Sequence, residues 1–265
     1  CVRAVGPRTD EQVVERLLAA PAALCIVNTR RHASRLFAML RARDPHALHL
    51  SANMCPAHRV LVIEEMRRRL EALRIGRADA PVPTPGAAGP LPCRVVSTQV
   101  VEAGVDVDFP LVLRSMAGLD SIAQSAGRCN REGRLDVGEV EVFEADMQSE
   151  GMVPYDIANP RDATASVLPD YSDDPLAPAA IEHFFRLRYA LRGWPKGQEP
   201  FDCGRAPAGE ARATRSVMRC FRAGAGERGG PPVVALDFRS AAERFVMIDD
   251  VQQPVLVPYG AAVEG

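Results

Sequence analysis

Short apolar runs alternate with longer amphipathic segments along the first half of the chain. The short runs predict buried strands. There are five of them, LCIV (24–27), ALHL (47–50), CRVVST (93–98), LVLR (111–114) and EVEVFEAD (139–146). Strands separated by helices predict an α/β fold, a parallel sheet with right-handed crossovers that helices cover on both faces. Ligands of such sheets bind beyond the carboxyl ends of the strands.

The helices between these strands have recognisable starts. Thr9 followed by Gln12 fits a capping box. Pro56 fits the first position of a long helix over about 57–75. A further helix is predicted over 119–128. Another helix follows the first strand and is predicted from four apolar residues at core spacing, Ala33, Leu36, Phe37 and Leu40.

Proline and glycine divide the chain into regions. Residues 77–92 contain five prolines and two glycines, which predicts a surface insertion between a helix and a strand. Composition shifts to Asp, Pro and Asn over 149–178, which indicates a linker or irregular connection. We therefore expect a first α/β domain over 1–148 and a smaller α+β region over 179–265. That second region includes a predicted hairpin at 244–260.

Composition restricts the class of function. The 265 residues carry a net charge of −2, so any contact with nucleic acid must be local rather than driven by an overall positive field. The seven cysteines form no C-x-x-C pair, which argues for reduced thiols in a cytoplasmic protein and against a metal site. No apolar run approaches the roughly 18 residues of a membrane span, so no membrane partner is expected. Because the chain begins with Cys1 rather than methionine, we interpret it as a piece of a longer protein.

Lys196 is the only lysine among the 32 basic residues. It lies in the sequence WPKG, so the chain has no GK followed by Ser or Thr and hence no phosphate-binding Walker A loop. Any nucleotide that binds here must have the first half of its site elsewhere.

A polar stripe marks the helix predicted over 119–128 and its extension. On a helix that advances about 100° per residue, Gln124, Arg128 and Arg131 share one face. Apolar residues lie nearly opposite and are expected to pack inward, namely Ile122, Ala126 and Cys129. Two guanidinium groups and an amide would present fixed donors to a polyanion such as a nucleotide triphosphate. The other interpretation is a solvated face, which is the commoner role of a charged stripe.

Four segments in this order resemble motifs IV, IVa, V and VI of the second RecA-like motor domain of superfamily 2 helicases. They are CIVNTR (25–30), LSANMCPAHR (50–59), VVSTQVVEAGVDVD (95–108) and QSAGRCNR (124–131). The amino-acid sequences of these segments, and of RFVMIDDVQQPVLVPYG at 244–260, are most similar to the CRISPR-associated helicase-nuclease of type I interference systems. This resemblance implies a RecA-like fold for residues 1–148.

The resemblance also implies roles at the nucleotide. Arg128 and Arg131 match the motif VI arginines that reach the γ-phosphate of ATP held by the first motor domain. Arg131 is the better match to the arginine finger, and Gln124 matches a residue that orders the site. Gly104 and Asp106 match motif V, whose acid contacts the ribose or bridges to the neighbouring domain.

Contacts with single-stranded DNA are implied at the ends of the predicted strands. Short polar side chains there hold phosphates without reading bases. The matching positions are Asn28, Thr29, Ser51, Thr98 and Gln99. Without the family, Thr98 and Ser51 would be interpreted as helix or turn caps. Asp108 fits a functional role and a structural loop role equally.

The complete enzyme implied by the resemblance has parts that this sequence lacks. These are a first RecA-like domain that holds ATP and Mg²⁺, a nuclease domain and a longer C-terminal domain. We therefore expect the C-terminal motor half of an ATP-dependent DNA helicase or translocase in CRISPR antiviral interference, inactive alone and partnered by a CRISPR surveillance (Cascade-type) complex. The alternatives are a non-catalytic docking module for that complex and half of another superfamily 2 helicase.

Overall fold

The computed structural model describes residues 1–78, 89–153, 155–190, 223–224, 233–234 and 238–244. Two compact units are present, one containing Cys1–Phe185 and one containing the described residues of Arg186–Leu256. No helix among the described residues is both long and apolar enough to cross a membrane.

Six parallel strands form the sheet of the first unit. They are β1 (Val2–Arg8), β2 (Ala22–Ile26), β3 (Leu48–Leu50), β4 (Cys93–Ser97), β5 (Leu111–Ser115) and β6 (Glu139–Ala145). Their order across the sheet is β1-β6-β5-β2-β4-β3, and every neighbouring pair is parallel. The five predicted strands and the parallel sheet are confirmed. All carboxyl ends consequently lie at one edge, which we call the carboxyl edge.

The edge strand β1 was not predicted. It pairs with β6, and the register shifts between Ala4 and Gly6. Its sequence VRAVGPR contains Gly6, with φ of 69°, followed by Pro7, a combination typical of turns. An edge strand tolerates both residues because one of its sides is unpaired. Gly6 and Pro7 therefore conceal the strand in the sequence, although an edge strand can contain both residues.

Helices cover both faces of the sheet, as predicted. The helices of the first unit begin with α1 (Asp10–Leu18), α2 (Arg30–Arg43), α3 (Pro56–Ala78) and α4 (Leu119–Ala126). Successive residues of β2 point to opposite faces, because side chains alternate along a strand. Leu24 and Ile26 pack with α3, whereas Ala23 and Cys25 pack with α1 and α2. Each fully buried leucine of this kind contributes roughly 1.5–3 kcal/mol of hydrophobic free energy.

The start of α1 is held as predicted. Thr9 Oγ1 accepts a hydrogen bond from Gln12 N (3.3 Å), and Gln12 Oε1 accepts one from Thr9 N (3.0 Å). The predicted capping box is confirmed. Pro56 is the first residue of α3, also as predicted. Of the predicted insertion, 79–88 lie outside the described residues, and 89–92 have no regular structure.

The interval predicted to be a linker contains helices instead. These are α5 (Met147–Glu150) and α6 (Tyr155–Val167), followed by a 3-10 turn at Leu168–Tyr171. Ala163 and Val167 are buried one helical turn apart, so α6 has an apolar face that the proline-rich composition concealed. The first unit accordingly continues to Phe185 rather than ending near residue 148.

The second unit has few described elements. The helix α7 (Pro178–Ala190) contains Phe185, the last residue of the first unit's main segment. Two short antiparallel strands, β7 (Ala223–Gly224) and β8 (Val233–Val234), and the helix α8 (Phe238–Arg244) follow. The predicted hairpin at 244–260 lies outside the described residues beyond Arg244.

Candidate functional site

The loops after β2, β3 and β4 meet at the carboxyl edge. Thr98 N donates to Leu50 O, the last residue of β3, at 3.2 Å. Gln99 Nε2 donates to Asn28 O at 3.2 Å. Asn28, Ser51 and Thr98 therefore lie along one edge, as expected from the ends of parallel strands.

Asn28 does not present its side chain to a ligand. It is buried, and its Nδ2 donates to Met116 O (2.8 Å) and Glu150 Oε1 (2.6 Å). Its Oδ1 accepts from Arg114 Nη1 at 2.9 Å. The expectation that Asn28 holds DNA phosphates is corrected accordingly, because these internal partners occupy the amide at both ends.

Thr29 is the N-cap of α2. Its Oγ1 accepts from His32 N at 3.2 Å and donates to Glu150 O at 2.7 Å. This hydroxyl is committed to the backbone on both sides. Thr29 consequently orders the loop after β2, and a contact with DNA would have to replace one of these bonds.

The side chains at the remaining predicted DNA positions make fewer hydrogen bonds within the protein. Thr98 precedes the 3-10 turn Gln99–Val101 but makes no side-chain cap hydrogen bond. Ser51 N donates to Met54 Sδ at 3.4 Å. Thr98 and Ser51 are buried, whereas Gln99 is half-buried. The three residues line the carboxyl edge at the ends of β3 and β4.

Motif V continues as an open turn after residue 101. Gly104 has φ of 72°, and a Cβ atom at this position would meet nothing within 4 Å, so glycine serves the left-handed backbone rather than a close contact. The Asp106 side chain is 73% exposed. Its carbonyl oxygen accepts from Arg67 Nε of α3 at 3.0 Å, which ties the turn to that helix.

Motif VI departs from the predicted helix. α4 ends at Ala126, and Gly127 is its C-cap. Phe109 N then donates to Arg128 O (2.9 Å), and Asn130 N donates to Phe109 O (3.0 Å). These bonds draw the backbone toward the segment before β5 instead of continuing the helix. The prediction that Gln124, Arg128 and Arg131 share one helix face is therefore wrong.

The two arginines nevertheless remain close neighbours. Arg128 Nη2 donates to Glu102 O at 2.6 Å, while its Nε is buried without a hydrogen-bond partner. Burial lowers the pKa of the Arg128 guanidinium, and the nearby charge of Arg131 lowers it further. The Arg131 side chain is 46% exposed and pairs with Asp106 Oδ1 at 2.6 Å. Gln124 is exposed on α4.

This arrangement suits a negatively charged ligand. Two guanidinium groups stand beside the exposed carboxylate of Asp106. Guanidinium groups are well suited to phosphate oxygens because they offer planar, paired donors.

Asp108, by contrast, has a structural role. Its Oδ1 accepts from Arg131 N at 2.8 Å, and its Oδ2 pairs with Arg74 Nη2 of α3 at 3.0 Å. The side chain is 10% exposed. Of the two roles open to Asp108, the contacts support the loop-holding one.

The sequence analysis did not predict a buried ion pair that lies behind the site. Arg114 Nε lies 3.0 Å from Glu102 Oε1, with the two side chains 0% and 7% exposed. Burial lowers the pKa of Arg114, and the Glu102 charge opposes that shift. The available signal was an arginine in the otherwise apolar strand LVLRS and a glutamate within VVEAG.

No cluster of three or more His, Cys, Asp or Glu side chains that could hold a metal ion occurs in the part of the chain that the structure describes.

Comparison with known proteins finds relatives for part of the first unit. Residues 20–134 match the family described as CRISPR-associated nuclease/helicase Cas3, C-terminal. The CRISPR-associated nuclease/helicase Cas3 of Haloferax volcanii is 44% identical over 78 residues, which are 29% of this chain and 8% of that protein.

Solved structures share the fold. T. fusca Cas3-AMPPNP and T. fusca Cas3-ADP have TM-scores of 0.52 and 0.53 with this chain at 20% and 19% identity. They cover 71% and 72% of this chain, which spans only 24% of each of them. The predicted RecA-like fold is confirmed. The predicted resemblance is confirmed as well, since residues 20–134 match the Cas3-like C-terminal family and the matching relative is a Cas3 nuclease/helicase.

Proposed function

We propose that this chain supplies the second half of an ATP site in a CRISPR-associated DNA helicase or translocase. The observation that carries the proposal is the pair of neighbouring guanidinium groups, Arg128 and Arg131, on the motif VI turn. Arg131 is exposed and held beside Asp106. The sequence match over residues 20–134 supports the same motor class.

Arg131 acts as the arginine finger in this proposal. Phosphoryl transfer depends mainly on positioning and on neutralising charge that spreads over the phosphoryl oxygens. A guanidinium supplied by a second domain does this without proton transfer. Arg128, anchored by its bond to Glu102 O, adds a second guanidinium beside Arg131. Gln124 orders the surface beside the two arginines.

The first half of the site belongs to a preceding RecA-like domain outside this chain. That domain would hold ATP and the ligands of Mg²⁺, and the ion would supply positive charge beside the phosphates. This chain contributes Arg131, Arg128 and the Asp106 carboxylate to the shared cleft. Closure of the cleft brings the arginines to the nucleotide, and product release reopens it.

DNA contacts are proposed for the carboxyl edge at Ser51, Thr98 and Gln99. Short polar side chains there hold phosphates of a single strand without reading sequence. Opening and closing of the cleft would move this edge along the strand. A nuclease domain and a CRISPR surveillance complex complete the proposed assembly, in line with the family resemblance.

The test is Arg131→Ala in the intact protein, with DNA-stimulated ATPase as the readout. We expect a loss of about 100-fold or more in kcat, the usual cost of removing a donor that stabilises transition-state charge. Arg134→Ala is the matched control. Arg134 lies three residues further on the same exposed loop and pairs with Glu132, and its removal should leave the rate within about twofold.

An Arg131→Ala rate within about twofold of the wild type would contradict the finger role. Binding of a surveillance complex by this chain without any contribution to ATPase would instead support a docking module.

A further inference from the structure

A continuous network of polar side chains lies beneath the carboxyl edge. At its centre is the Arg114–Glu102 ion pair, 3.0 Å between Nε and Oε1. Glu102 belongs to motif V, and Arg114 belongs to β5. The network reaches the loops after β2 and β4 and the motif VI turn after α4.

On one side the network holds motif VI. Glu102 accepts hydrogen bonds from Ser121 Oγ (2.8 Å) and Ser125 Oγ (3.1 Å), both on α4. The Glu102 carbonyl oxygen accepts from Arg128 Nη2 at 2.6 Å. One residue therefore fixes α4 through its carboxylate and a proposed ATP-contacting arginine through its backbone.

On the other side the network holds the loop after β2. Arg114 Nη1 donates to Asn28 Oδ1 (2.9 Å) and Ser115 O (2.8 Å), and Nη2 donates to Ser121 Oγ (2.8 Å). The backbone oxygen of Asn28 accepts from Gln99, a proposed DNA contact. The fork geometry of a guanidinium allows one side chain to tie three segments at fixed angles.

Stability alone is a weak explanation for such a pair. Burying two charges costs desolvation free energy that their attraction recovers only in part, so apolar replacements of similar volume are often neutral or stabilising. The partners of Arg114 here are mostly side chains and carbonyls of loop or helix starts at one edge. A pair placed there sets the relative position of those segments.

We propose that Arg114 and Glu102 are positioning residues that couple the motif VI arginines to the DNA-contacting edge. Movement of the edge on DNA binding is carried through Asn28 and Arg114 to Glu102, and through Glu102 to Arg128 and α4. This inference rests on the proposed function, because it assumes that Arg128 and Gln99 face the two ligands.

The test uses the paired variant Glu102→Gln/Arg114→Met in the intact protein. Removing both charges avoids leaving one buried charge unpaired, and glutamine keeps hydrogen-bonding capacity for Ser121 and Ser125. The readout is the stimulation ratio, defined as ATPase kcat with single-stranded DNA divided by kcat without it. We expect this ratio to fall about tenfold, with Kd values for single-stranded DNA and for a nonhydrolysable ATP analogue within about threefold.

The matched control is Asp44→Asn/Arg94→Met. This ion pair is also poorly exposed, at 2.8 Å, but Arg94 lies near the start of β4, away from the carboxyl edge. A structural loss there should lower thermal stability and leave the stimulation ratio unchanged. A merely structural role for Arg114 would give the same result as this control.

Two outcomes overturn the inference. One is a stimulation ratio in the paired variant that equals the wild-type ratio, while Arg131→Ala still abolishes ATPase. That combination would contradict the coupling and leave the proposed function standing. If the paired variant does not fold, Ser121→Ala decides, since it removes bonds to both Arg114 and Glu102 without unpairing a charge. A loss of about threefold in the ratio supports the inference, and no change overturns it.

Discussion

Arg131 Nη1 and Asp106 Oδ1 form an ion pair at 2.6 Å that joins motif VI to motif V on the protein surface. Both side chains are substantially exposed, 46% and 73%, so the pair contributes little to stability. Its effect is geometric, because the carboxylate restricts where the arginine can lie. Asp108 reinforces this by accepting from Arg131 N at 2.8 Å.

Asp106→Ala should therefore slow catalysis rather than unfold the protein. If the carboxylate holds Arg131 in place, its removal should lower ATPase kcat about tenfold, or about 1.4 kcal/mol in activation free energy. Adding Asp106→Ala to Arg131→Ala should cause no further loss, since the two residues act as a unit. Additive losses in this double-mutant cycle would show that Asp106 acts independently of Arg131.

Asn28→Ala should reduce stability without weakening DNA binding directly. The variant leaves Glu150 and Arg114 short of a buried partner, at a cost of about 2 kcal/mol. Gln99→Ala should do the reverse, with stability changed by less than about 0.5 kcal/mol and weaker affinity for single-stranded DNA. Chemical denaturation and fluorescence anisotropy with a labelled strand measure the two effects. Normal stability in Asn28→Ala would contradict the buried role.

Arg94→Ala should cost far more stability than Arg43→Ala. Arg94 donates to the carbonyl oxygens of Leu17, Leu18 and Ala20 at the end of α1, and it pairs with buried Asp44. Its removal leaves that buried carboxylate without its partner, and the free energy of unfolding is expected to fall by about 3 kcal/mol.

The control Arg43 pairs with Glu15, and both side chains are more than half exposed. Its removal should lower stability far less than removal of Arg94, because solvent screens the exposed pair. Unfolding midpoints that fall equally in the two variants would show that Arg94 adds nothing beyond a surface pair.

Cysteine reactivity should follow burial. Burial raises the pKa of the Cys25 and Cys93 thiols to about 12, whereas Cys55 is only half-buried. The thiolate is the reactive form, and since these two pKa values are raised, the buried thiols stay protonated as pH rises from about 7 to 9. Iodoacetamide should label Cys55 in the native protein and reach Cys25 and Cys93 only after denaturation. Peptide mass spectrometry measures this, and native labelling of Cys25 at the Cys55 rate would contradict it.

The amino-acid sequence by itself determined the features that depend on neighbouring residues. The Thr9 and Gln12 capping box is made within one helical turn, and apolar runs such as LCIV mark strands buried on both faces. The order of the four motifs predicted the resemblance to a CRISPR-associated helicase, and residues 20–134 match the C-terminal model of that family.

Only the tertiary structure decided features that depend on distant partners. β1 is a strand because β6 pairs with it. α4 ends where Phe109 captures the backbone beside Cys129. Asn28 is internal because Arg114 and Glu150 fold around its amide. Periodicity and capping are short-range interactions that a few residues specify, whereas these contacts exist only after the sheet has brought remote segments together.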